Sequence, residues 1–193
     1  MSDQPAVFKQ IPHCIHYLFE SPPILQNEPA NDYYRLLAEC IHHYEPEDII
    51  SWIYLKDFVD YAWEVVRMRR MRSPLLETER KRAISIVVSK IQSHLKTEPV
   101  IDAETAAASW NTDAETRRVV GQMLRRSGLT EGAVDAQMYV RSARTMEEMA
   151  QMEDFLATRR DAAAVQLESR KAMAETQRRK PPETIDLKAE STS

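Results

Sequence analysis

Glycine is nearly missing from this chain, at 3 residues in 193, where average usage is about 7%. That scarcity excludes folds built from tight hairpins and glycine-requiring turns. It also removes several chemistries. With no clustered glycines there is neither a phosphate-cradling P-loop nor a GxGxxG turn, and no GxSxG elbow presents a hydrolase serine. HExxH is absent as well. Cysteine is limited to Cys14 and Cys40 with no CxxC pair, which points to reduced thiols and away from a disulfide-built secreted domain. No run approaches the roughly 18–20 apolar residues that span a bilayer, and Met1 to Gln10 lack the features of a signal peptide. A cytoplasmic protein with no membrane partner is expected, with no cofactor and no small-molecule substrate indicated.

What is present is a helical pattern with unevenly distributed charge. Residues 1–66 carry three basic and eleven acidic side chains, a net of −8. Residues 67–96 carry nine basic and two acidic, a net of +7, and the remainder has a net of −3. A basic block after an acidic one either folds back on it or faces an anionic partner.

Five of the ten prolines fall within residues 1–30, predicting an irregular lead-in over 1–27 in which Ile15–Phe19 docks as a single turn. A helical core domain is expected over 28–98. Its first helix runs from about Asn31 to Tyr44, capped by Asn31 or Asp32, with Tyr33, Leu37, Cys40 or Ile41, and Tyr44 at helical spacing. Pro46 is expected to open a second helix, with Glu47 and Asp48 in its first turn. This helix is apolar on nearly every side, from Ile49 through Trp52, Phe58 and Trp63 to Val66, so it should lie at the centre of the fold. Ser73 and Pro74 read as the start of a third helix, Leu75 to about Lys96, ended by Pro99.

The stretch 99–142 is weakly patterned, apart from a short helix at 112–127 opened by a Thr112–Glu115 capping box and ended near Ser127–Gly128. A long C-terminal helix is expected over 143–180, from about Arg144, with Thr145 and Glu148 as its capping box. Met149, Met152, Leu156, Ala163, Leu167 and Ala174 form its coiled-coil-like stripe, packed on the domain or on a second copy. Pro181 and Pro182 stop it, and the polar tail 181–193 is expected to be disordered. The fold class is all-α: a small helical domain round one apolar helix, plus a long C-terminal helix.

Three groups of residues suggest chemistry. Asp57, Asp60 and Glu64 share one helical stripe, a carboxylate set suited to a cation or to acid–base work, and equally to the solvated edge of a core helix with Lys56–Asp60 and Glu64–Arg67 pairs. Arg67, Arg69, Arg70, Arg72, Arg80, Lys81 and Arg82 form a basic cluster able to hold nucleic-acid phosphates. Arg67 to Arg72, however, surround most of a helical turn and lack aromatic stacking partners, and pairing with the acidic N-terminal third accounts for them as well. His13, Cys14 and His16, with Cys40, His42 and His43, offer nitrogen and sulfur ligands, yet their spacing fits no zinc pattern and Cys40 also suits the apolar face. No metal is expected.

Asp48 to Arg70, with Trp52, Asp57, Asp60, Trp63, Glu64 and Arg67 as its marked positions, resembles a block of bacterial, chiefly alphaproteobacterial, proteins with no assigned activity. Met146 through Phe155, and on through Arg159-Arg160, is similar to that family's closing helix. Some members lie in phage or mobile-element regions. The resemblance implies no ligand or catalytic residue. The expectation is therefore a non-enzymatic interaction protein that homo-oligomerises through the C-terminal helix, the alternative being a nucleic-acid-associated accessory protein using 67–82.

Overall fold

A proline-rich segment cannot hold a long helix, and residues 5–19 wind instead into two 3-10 turns, Ala6–Gln10 and His13–Leu18. In the computed structural model, which describes residues 5–95 and 101–179, five α-helices follow: α1 (Ala30–Tyr44), α2 (Ile49–Leu95), α3 (Ala103–Ser109), α4 (Ala114–Arg126) and α5 (Gly132–Arg179). The protein is all-α, and no strand occurs among the described residues. No helix among them is long and apolar enough to cross a membrane.

Contacts divide the chain into two units, Met1–Glu64 with Leu156–Ser193, and Val65–Phe155. The expected 28–98 domain is thus shared between both. In the first unit, Val7, Phe8, Ile11, Ile15 and Phe19 of the lead-in are buried with Tyr33, Leu37 and Cys40 of α1, Trp52, Leu55, Val59 and Trp63 of α2, and Leu167 of α5. The Ile15–Phe19 run does dock on the core. Phe19 meets Trp52 edge-on at 6.0 Å between ring centres, and Tyr33 meets Trp63 likewise at 5.8 Å. Such geometry sets the positive rim of one ring against the negative face of the other.

The second unit has its own core: Ala83, Ile84, Val87, Val88 and Ile91 of α2, Ala106, Ala107 and Trp110 at α3, Val120 and Leu124 of α4, and Val134 and Met138 of α5. Within each unit α2 and α5 run antiparallel. Asp48 pairs with Arg170 and Glu47 with Arg178 in the first, while Arg69 pairs with Glu153 and Glu79 with Arg141 in the second.

Several boundaries differ from the sequence reading, each for a physical reason. α1 starts at Ala30, so Asn31 and Asp32 lie in its first turn and neither caps it. α2 starts at Ile49, not Pro46, because Asp48 is the cap: its carboxylate accepts the amides of Ile50 at 2.8 Å and Ser51 at 3.0 Å. Ser73 and Pro74 do not begin a new helix but lie inside α2. An interior proline costs about 3 kcal/mol, and the buried residues of α2 nearest to it are Val65 on one side and Glu79 and Ala83 on the other. The middle of the chain is more ordered than its pattern suggests. Asp102 caps α3 through Thr105 N, and Asp113, not Thr112, caps α4 through Glu115 N and Thr116 N. α4 ends as expected: Gly128 takes φ 70°, and Leu129 N reaches back to Leu124 O at 2.8 Å.

α5 begins at Gly132, about a dozen residues before the expected start, so Thr145 and Glu148 sit within it and cap nothing. Val134, Met138 and Ser142 recur every fourth residue on its buried side and anchor this extra length. The Pro99 and Pro181–Pro182 stops, Lys96 and the 181–193 tail lie outside the described residues.

Candidate functional site

Spacing along α5 decides which of its faces is free. In the first unit, Leu156, Ala163 and Leu167 are buried, stepping by seven and four, with Arg160, Arg170 and Ala174 half-buried on the same side. The stripe expected to meet either the domain or a second copy therefore meets its own chain. Met152 departs from that stripe and is half exposed, while Glu153 turns inward in its place. The far side of α5 in the first unit carries Thr158, Ala162, Val165, Ser169, Ala172, Met173 and Thr176, all exposed and none charged. A strongly helical segment with 62% of Val165 and 61% of Met173 in water presents apolar surface that the described residues leave uncovered.

The basic segment is largely engaged within the second unit. Arg69 Nε donates to Glu153 Oε1 at 2.8 Å, and Arg72 Nη2 lies 2.7 Å from Glu153 Oε2. Arg80 Nε is 3.3 Å from Asp135, and Arg82 pairs with Glu79, which also accepts Arg141 Nε at 3.0 Å. These acids come from α2 itself and from α5, not from the acidic N-terminal third. Arg67 is half-buried, whereas Arg70 and Lys81 are exposed. Burial works against the Glu79 carboxylate, but the two arginines overcome it and hold its pKa below the ordinary value. Arg69, then Arg72, does the same for Glu153 against partial burial.

Asp60 of the acidic stripe ties α1 to α2. Tyr33 Oη donates to Asp60 Oδ1 at 2.6 Å, and Lys56 pairs with the other oxygen. Burial first, then the Asp60 charge, pushes the Tyr33 phenol well above its ordinary range. Asp57 is raised by burial and then by Asp60, with Lys56 opposing. Glu64 is half-buried at the end of the stripe. Asp60, saturated by a phenol and an ammonium, serves the α1–α2 packing. The sequence reading placed Tyr33 correctly in the core but missed its phenol as the partner of Asp60, and missed Glu28, which accepts Trp63 Nε1 at 3.0 Å.

The His and Cys clusters stay apart in chemistry. His13 and His16 rings lie 5.0 Å apart, and His16 Nε2 is 2.9 Å from Ile11 O. Cys14 is exposed, and Cys40 is buried, its thiol pushed up to about 11 by burial and then by Glu39. Among the described residues no group of three or more His, Cys, Asp or Glu is placed to share an ion.

Two clefts accompany these surfaces. One, of about 360 Å³ in the first unit, is lined by Tyr44 to Asp48, Arg170, Lys171 and Gln177. Most of its charged side chains are engaged internally: Arg170 Nη1 is 3.2 Å from both Asp48 oxygens, Lys171 donates to His43 O, and Arg178 pairs with Glu47. The other, of about 440 Å³ in the second unit, lies between α2, the α4–α5 link and α5. No family model matches the chain, and neither does a curated protein or a solved structure.

Proposed function

We propose that this all-α chain is a non-enzymatic interaction protein that self-associates through α5. The observation that carries the reading is the division of labour on that helix in the first unit. Leu156, Ala163 and Leu167 are consumed by the chain's own core, while Val165, Met173 and the small uncharged residues between them face solvent. A second helix laid along that outer face would cover surface that costs free energy to leave wet, at about 25 cal/mol per Å² of apolar area. Asp60 of the acidic stripe is engaged by Tyr33 and Lys56, which supports a structural role over catalysis. Contact with nucleic acid through 67–82 has weaker support, because Arg69, Arg72, Arg80 and Arg82 already face carboxylates. Sedimentation velocity across a concentration series tests the proposal. A mass that rises with concentration, and falls to the monomer in Val165→Glu with helix content unchanged, supports it. A monomer at every concentration defeats it.

A further inference from the structure

The 440 Å³ cleft of the second unit differs in chemistry from the cleft of the first, whose charged side chains are mostly engaged. Its walls are hydrocarbon: Val87 and Ile91 on one face of α2, Leu129 on the α4–α5 link, and Ala133 on α5. Lys90 and His94, one turn apart on α2, stand on its rim. Neither makes a hydrogen bond or ion pair with another described residue, in contrast to Arg69, Arg72, Arg80 and Arg82 on the same helix. No carboxylate is among the described lining residues. Ser127, at the C-cap of α4, lines the cleft too, and its Oγ is buried with no partner among the described residues.

We propose that this cleft binds a small apolar monocarboxylate. The hydrocarbon tail lies against Val87, Ile91, Leu129 and Ala133, and the carboxylate sits beside Lys90 and His94. A volume of 440 Å³ falls in the range of about 300–1,000 Å³ usual for small-molecule pockets. Lys90 selects the anionic head, since a cation with no acid among the described lining residues favours one negative charge. The site lies wholly within the second unit and does not depend on the outer face of α5 in the first.

Calorimetric titration of the full chain with octanoate, and with 1-octanol as the uncharged analogue, tests the assignment. The expected result is one saturable octanoate site, at least about tenfold weaker binding of octanol, and a loss of about tenfold for octanoate in Lys90→Gln. Hydrogen exchange should slow on octanoate binding near Lys90–Ile91 and Ser127–Leu129. Because Lys90 is exposed, the variant is expected to keep its fold, and its circular dichroism checks this. Absence of saturable octanoate binding, equal affinity for octanol, an unchanged Lys90→Gln, or protection confined to other segments would each overturn the proposal.

Discussion

Replacing Leu167 and Val165 by alanine, one at a time, reads directly which face of α5 is turned inward. The two residues are two positions apart, so their side chains diverge by more than half a turn of helix. Leu167 is 2% exposed and belongs to the first unit's core with Leu37, Leu55 and Trp52. Truncating such a leucine costs about 2–5 kcal/mol, as lost transfer energy plus a residual cavity. Val165 is 62% exposed, so truncation there falls within about 0.5 kcal/mol, and alanine's better helix propensity offsets part of that. With a urea dependence of about 2 kcal/mol per molar, Leu167→Ala lowers the unfolding midpoint by about 1–2.5 M. Val165→Ala barely moves it. Urea melts should be followed by fluorescence, because Trp52 and Trp63 are buried in the same unit, and at a concentration where the protein is monomeric. Equal shifts, or a larger shift for Val165, would refute the packing described.

Three other outcomes follow from the charges and the backbone. Glu79→Gln should destabilise by about 1.5–3 kcal/mol at neutral pH, by weakening hydrogen bonds to charged Arg141 and Arg82. Since the folded carboxylate titrates below its ordinary value, its contribution is present above the unfolded pKa and fades as pH falls through the folded one; pH-dependent melts of the two proteins should converge in acid. Asp57 behaves in the opposite sense. Its folded pKa is raised, so the charged form opposes folding, and Asp57→Asn should raise the melting temperature slightly at neutral pH, with the gain vanishing below the unfolded pKa. Glu45 closes α1 with φ at 45°, the left-handed region. Glu45→Gly should therefore be neutral or stabilising by up to about 1 kcal/mol in thermal melts, despite the usual cost of glycine.

The helical class was legible in the scarcity of glycine, and the buried side of α2 in Trp52, Leu55, Val59 and Trp63. Ile49, Ile50 and Ile53 of the same apolar run are nevertheless exposed, so the helix is not enclosed on every side as expected. Burial of Trp52 and Trp63 agrees with that pattern. Boundaries were harder because local signals compete with tertiary packing. Pro74 has the local signature of a helix start, yet α2 runs through it. Pro46 was a stronger lure than Asp48, although the Asp48 carboxylate does the capping. The early start of α5 was readable in principle, since Val134, Met138 and Ser142 recur every four residues. Gly132 and the polar residues between them obscured it. The Lys90 and Ser127 cleft had no sequence signal at all, as its lining comes from three separate segments.

Cross-linking between Glu47 and Arg178 bears most directly on the claim that α5 packs on α2 of its own chain, freeing its outer face. These side chains pair in the first unit. In a background with Cys14→Ser and Cys40→Ala, Glu47→Cys and Arg178→Cys would be joined by a short bismaleimide in dilute solution. The account predicts a product that migrates as a single chain, formed at a rate independent of protein concentration. Joined pairs of chains as the main product, at a rate that grows with concentration, would contradict it.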